Sequence, residues 1–358
     1  MSHGLMLVEP FHISISTPDY CPMLTIDGTF GEGGGQILRT SVAMAAITKM
    51  PVKIVGIRSK RPKPGLSAQH LTAVRAMTEL AGADTTGAMI GSTELTFIPG
   101  EISGGTYRMD IGTAGSISLL LQCLIPVALH APGKVVLDIT GGTDVRWSPP
   151  IDHLRHVLLP ALALMGCDVS IDILKRGYYP RGGGRVRAVI EPSRIAGVDF
   201  YRETVDMVYG CSHSSRLPEH VARRQRNAAI SRLQDRGYDA VIDTDITAAH
   251  KGVASTGSGI TLWCGHVGGS ALGERGKPAE VVGFDAADNI IRELDSGASV
   301  DVYLADQLIP CMAMAKSGSF TTRDLSLHTK TNIWVSEQFT DVKFDIKPSD
   351  RIFRVVCR

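Results

Sequence analysis

The chain has 358 residues, of which 44% are hydrophobic and 20% charged, with a formal net charge of +1. That balance describes a soluble globular protein with a large core, in one large domain or two moderate ones. No stretch reaches the roughly 18 uninterrupted apolar residues of a membrane span, and residues 1–22 lack a basic region followed by an apolar core, so the chain reads as cytoplasmic. Cys21, Cys123, Cys167, Cys211, Cys264, Cys311 and Cys357 lie far apart with no Cys-x-x-Cys, which argues against a zinc cluster or a disulfide framework.

The hydrophobic periodicity predicts a repeated unit. In its first copy a strand (23–27) leads through "GTFGEGGGQ" to a helix (35–48), a strand (51–57), a helix (66–83) striped by Leu71, Val74, Met77 and Leu80, and a strand near 94–98. The glycine cluster opening the first helix suggests a phosphate, because backbone N–H groups and the helix dipole favour an anion there. It fits neither familiar nucleotide fingerprint: no Gly-Lys-Ser/Thr follows, and Gln36 stands where a dinucleotide loop needs its last glycine. A tight turn with Glu32 facing the helix dipole is the plainer alternative.

In the second copy "YRMDIGTAG" (107–115) leads to a helix from Ser116, a strand (133–141) and a helix (149–169); Gly82 and Gly166 close corresponding helices of the two copies. A third copy occupies 299–318 as strand and helix, with "TNIWVSEQF" (331–339) as its closing strand. Residues 200–280 differ in composition and read as an inserted small α/β domain, leaving the helix 286–297 assignable to either side. The fold class is therefore α/β (α+β), with a large repeat domain from 1–199 and 281–358. Two acid-free basic runs, "KIVGIRSKRPK" (53–63) and "KRGYYPRGGGRVR" (175–187), are either solvated loops or phosphate-binding segments.

"EGGGQILR", "KRPKPGLSAQHL", "GTAGSISLLLQ", "YLADQL" and "SLHTKTNIWV" occur in this order along nearly the whole chain. Together they resemble the RNA 3′-terminal phosphate cyclase family. The resemblance implies three βαβαββ-like units plus the inserted domain. It also implies ATP-dependent conversion of an RNA 3′-phosphate to a 2′,3′-cyclic phosphate, through a covalent histidine–AMP and then an RNA(3′)pp(5′)A intermediate. The nucleophile maps onto His328, on a loop before the closing strand; a neutral imidazole is a competent nucleophile. By the same resemblance Glu32 and Arg39 meet ATP, Glu32 through a divalent metal (Mg or Mn), and Gln122 with Tyr303, Leu304, Ala305, Asp306 and Gln307 binds the nucleotide.

Arg58, Arg61 and His70 match the family's phosphate-contact pattern, although His70 could serve the core or a helix cap instead. Arg181 would meet RNA phosphate, and Tyr178 and Tyr179 offer stacking faces unless they pack in the core. "ADQ" (305–307) is also an ordinary helix N-terminus. The implied partner is RNA with a 3′-phosphate end, with no membrane and with a homo-oligomer left open. Two rivals are a catalytically inactive cyclase-like scaffold of ribosome biogenesis, against which His328, Glu32 and the arginines argue, and an enolpyruvyl-transferase-like enzyme, which would need no ATP.

Overall fold

The computed structural model describes residues 22–31, 33–202, 204, 207–247 and 255–358. Its first unit comprises β1 (Leu24–Asp27), α1 (Gly35–Thr48), β2 (Val52–Val55), α2 (Ala68–Leu80), β3 (Asp84–Thr86) and β4 (Leu95–Ile98). The α1 crossover makes β1 and β2 parallel, and the short returns add β4 and β3 antiparallel, in the order β1-β2-β4-β3. The second unit repeats the scheme with β5 (Gly105–Asp110), α3 (Ile117–Ala128), β6 (Val135–Gly141), α4 (Ile151–His153), a π-helical turn (Leu154–Leu158), α5 (Leu159–Leu164), β7 (Val169–Lys175) and β8 (Gly184–Ile190). Its strand order is β5-β6-β8-β7. Leu71, Val74, Met77 and Leu80 are buried as the α2 stripe requires. Gly82 (φ 54°) and Gly166 (φ 82°) take the left-handed conformation at the two helix exits.

An α/β segment follows: β9 (Val208–Ser215), α6 (His220–Gln234), β10 (Ala240–Thr247), β11 (Gly257–Cys264), β12 (Val267–Leu272) and α7 (Ala279–Ser296). Its sheet runs β10-β9-β11-β12, and its own apolar core extends from Val208 to Leu294. Helix α7 packs on α6 and β12, so this core continues past the boundary at 280 that composition suggested.

The third unit has α8 (Val302–Ala315), β13 (Gly318–Thr322), α9 (Leu327–Phe339), β14 (Phe344–Ser349) and β15 (Ile352–Cys357), with strands ordered β13-β15-β14. Its opening strand is reduced to one parallel bridge, Val300 to Thr322. Residues 331–339 are helix, not the closing strand their β-branched and aromatic residues predict. They lie within α9, which packs on α1 and α8; β14 and β15 complete the sheet instead.

Two buried polar clusters join the inserted segment to the units. Asp301, fully buried, caps α8 by accepting from the backbone N–H groups of Tyr303 (2.8 Å) and Leu304 (2.7 Å). Its other oxygen lies 2.9 Å from His153 Nε2 of α4 and accepts from Gly268 N of β12 at 2.8 Å. Arg176, at the end of β7, is ion-paired to Asp152 of α4 (2.8 Å), Asp144 (3.4 Å) and Asp245 of β10 (2.7 Å). Burial alone would raise the Asp144 carboxyl, but His213 and Arg176 prevail and hold it well below the usual carboxylate range. No described helix is long and apolar enough to cross a membrane. Cys21 lies outside the described residues, and among the described residues no disulfide is formed.

Asp301→Ala strands a helix cap, a β12 amide and a histidine in a dry interior. We expect a loss of at least about 3 kcal/mol in urea unfolding, with Asp301→Asn, which retains one acceptor, losing less. Equal midpoints for wild type and Asp301→Ala would show that water replaces the carboxylate at little cost.

Candidate functional site

The loop between β1 and α1 needs its glycines. Gly31 (φ 56°) and Gly33 (φ 58°) are left-handed, and a Cβ at Gly35 would lie 1.9 Å from His70 Nε2. Phe30 stacks on Trp334 of α9 with ring centroids 4.2 Å apart, which fastens the loop to the third unit. Gly34 caps α1 without a side-chain acceptor, and no acid stands in the helix's first turn, so its backbone N–H groups favour an anion. Glu32 lies outside the described residues.

The first basic run wraps this loop. Arg58, itself at φ 53°, donates to the Gly65 carbonyl at 2.7 Å and closes the proline-rich turn, while Lys60 reaches the Gly31 carbonyl at 3.3 Å. Arg61 abuts Gly34. His70 closes a capping box with Ser67, its Nδ1 2.7 Å from Ser67 Oγ. Burial, then the positive charges of Arg39 and Arg58, depress its imidazole to about 3 and keep it neutral. His70 thus caps α2 and fills the space beside Gly35.

Beneath the loop, the first helices of the three units meet at corresponding positions. Their fifth and sixth residues are Arg39 and Thr40 of α1, Leu121 and Gln122 of α3, and Asp306 and Gln307 of α8. A cleft there is lined by Gln36, Arg39, Gln122, Asp306, Gln307 and Asn332 over an apolar floor that includes Pro126 and Pro310. Arg39 is 7% exposed, donates to Gln36 Oε1 at 2.6 Å, and has its guanidinium pKa lowered by burial. Burial pushes the Asp306 carboxyl up to about 8 against the pull of Arg39, with Asp301 adding to the rise. Gln122 Nε2 and both amide atoms of Gln307 are buried without a hydrogen-bond partner. Unpaired buried amides are costly, and they are what a bound polar ligand would satisfy.

Asn332 ties the cleft together. Its Oδ1 accepts from Gln36 Nε2 (3.0 Å) and Thr40 Oγ1 (2.7 Å), and its Nδ2 donates to the Asp306 carbonyl (2.7 Å). That carbonyl is available because residue 310, its ordinary helical donor, is a proline without an N–H. Asn332 places α9 against α1 and α8, and His328, four residues earlier, stands exposed on the same helix face in the first turn. Ser326 caps that turn, accepting from Thr329 N at 3.0 Å. His328 is therefore on a helix, not on the loop the sequence predicts. Sequence reasoning passed over Asn332, although "SLHTKTN" contains it at helical spacing from His328.

The remaining assignments divide. Tyr303 is 57% exposed at the start of α8, whereas the side chains of Leu304 and Ala305 are fully buried in the core. Asp301, not Asp306, caps that helix. In the second basic run Arg176 is consumed by its buried carboxylates and Arg185 is bonded to Asp138. Tyr178 is 4% exposed with its hydroxyl 2.7 Å from His213 Nδ1, so it is no stacking face; Tyr179 and Arg181 are exposed. Asp144, Asp152 and His213 are spaced as metal ligands, but Arg176 already pairs with both carboxylates.

Because Asp306 binds its proton more tightly folded than unfolded, its contribution to stability falls as pH rises from about 4 to about 8 and is flat above. Asp306→Asn should gain on wild type across that window, by a few kcal/mol at most, in urea titrations at several pH values. A pH-independent difference would mean that the carboxyl is ionised throughout.

The sequence model of RNA 3′-terminal phosphate cyclase matches residues 30–346. Among similar curated proteins, an RNA 3′-terminal phosphate cyclase of Methanosarcina barkeri is 54% identical, with 93% of this chain and 99% of the relative covered. Proteins of the same name from Archaeoglobus fulgidus (49%; 90% and 98% covered) and Pyrococcus furiosus (46%; 91% and 95%) are also similar.

Proposed function

The chain belongs to the RNA 3′-terminal phosphate cyclase family, and on that footing we propose that it uses ATP to convert an RNA 3′-phosphate end into a 2′,3′-cyclic phosphate. The observation that carries this reading is Asn332, which joins the helix bearing an exposed His328 to a buried cleft holding Arg39 and two unpartnered glutamine amides.

A His328 ring nitrogen attacks the α-phosphorus of ATP, the N–P bond forms, and pyrophosphate leaves. Arg39 and the N–H groups of α1 stabilise the phosphate charge from one side, with Arg58 and Arg61 on the other. Gln122, Asp306 and Gln307 hold the nucleoside, and Tyr303 presents a ring face to it. The protonated Asp306 can donate as well as accept a hydrogen bond. An oxygen of the RNA 3′-phosphate then displaces the histidine from AMP, and attack by the neighbouring 2′-hydroxyl on the 3′-phosphorus expels AMP. Arg181 contacts the RNA backbone. Glu32 would hold a divalent metal, as the resemblance implies, and the metal would offset charge on the triphosphate. In this reading the three units form the catalytic domain, and the inserted segment is a domain of its own.

Incubation with α-labelled ATP tests the first step. His328→Ala should take up no label and make no cyclic product; a variant that still labels would remove His328 from the role.

The two half-reactions should also separate. Arg39→Ala should impair label uptake by on the order of a hundredfold, the scale of losing one charge-stabilising donor. Arg181→Ala should label normally but pass AMP slowly to RNA, and its salt dependence of RNA binding should flatten by roughly 0.7 in log–log slope. Parallel salt plots would return Arg181 to the solvent.

A further inference from the structure

We propose that a second cleft, between the inserted segment and the second unit, holds the RNA strand on the 5′ side of the reacting end. This rests on the RNA reading above and goes beyond it. The cleft encloses about 1570 Å³ of empty space, its open mouth included, and its walls are the segment after β6, the turn at Tyr178–Tyr179, α6, and the loop from β12 to α7.

Its chemistry differs from that of the first cleft. There, buried amides lack partners, the mark of a discrete ligand. Here Gln225, on the floor, is satisfied within the chain: its Nε2 donates to Ser258 Oγ at 2.9 Å, and Ser212 Oγ donates to its Oε1 at 3.1 Å. What points outward is positive charge and aromatic surface. Arg146 and Lys277 have partners on the surface, Glu274 at 2.6 Å and Asp285 at 2.5 Å. Such exposed pairs are worth little and exchange readily for a phosphate. Arg275, exposed at the mouth, has no ion pair among the described residues. Tyr179 is 70% exposed on the wall, and Trp147, next to Arg146, is 92% exposed at φ 62°. A bulky residue held at positive φ with its ring in water is unfavourable twice over. Cations along a groove with free ring faces at its edge are how proteins track a single strand without reading its sequence.

The wall of the cleft is also packed, through a chain of contacts, against the glycine loop. Tyr178 packs against Gly257 of β11 on one side, and on the other Gly182 of the same turn abuts Thr113 and Ala114. Gly115 touches Gln69, and the neighbouring His70 fills the space beside Gly35 at the glycine loop. These contacts pack the wall of the cleft and the glycine loop into one body.

The test compares 3′-phosphorylated RNAs two and twelve nucleotides long by fluorescence anisotropy, for wild type, Tyr179→Ala, Trp147→Ala and Arg275→Ala, with thermal unfolding as the check on folding. In wild type the longer RNA should bind more tightly. Each aromatic variant should weaken the long RNA roughly five- to a hundredfold, the range for losing one stacked base, while leaving the dinucleotide unchanged. Arg275→Ala should lower the salt slope for the long RNA alone, by about 0.7. Equal wild-type affinity for both lengths, or variants that weaken both lengths equally or neither, would overturn the cleft as the strand's path while the dinucleotide is still cyclised. Failure to bind or cyclise either RNA would instead overturn the RNA reading itself, and the cleft proposal with it.

Discussion

Asp301 is the carboxylate on which the remaining geometry hangs. It is fully buried, yet four groups are directed at it, from α8, α4 and β12. A buried charge of this kind is tolerable only when every lone pair is used. Three segments far apart in sequence must therefore arrive together, and their arrival sets the start of α8. Because Asp306 and Gln307 follow on the next turn, the capping carboxylate also sets where the cleft's polar groups stand.

From that fixed start, the polar groups sort by function. Arg176, which joins elements, is satisfied by its three aspartates. Gln122 and Gln307, which face the first cleft, are left short, and the carboxyl of Asp306 beside them is kept neutral by burial. Local cost without internal compensation is the usual signature of a place kept ready for something else.

Much of this was legible in the sequence. The apolar stripe of α2 and the exit glycines Gly82 and Gly166 obeyed simple periodicity and conformational rules, and ordered motifs pointed to Arg39, Gln122 and His328. Helix α9 escaped because its buried stripe, Thr329, Asn332, Ile333, Ser336 and Phe339, is largely polar. Apolar periodicity registers only the alternating Ile333 and Val335, which look like a strand. The fate of Arg176 in the second basic run was hidden for a related reason: the aspartates that absorb it lie 24 to 69 residues away, where no window could pair them. Leu304 and Ala305 show the converse limit, since the motif names them beside the exposed Tyr303 while their side chains face the core.

Proline 310 carries a consequence for evolution and engineering alike. By helix propensity it is the worst residue for the interior of α8, and its replacement by alanine would be among the first changes suggested to raise thermal tolerance. Alanine would, however, restore an amide that competes with Asn332 for the Asp306 carbonyl, loosening the seat of α9 while strengthening α8. The imperfect helix is thus the condition for a correctly seated one, and a lineage selected for heat resistance alone would be drawn toward the substitution that its chemistry penalises.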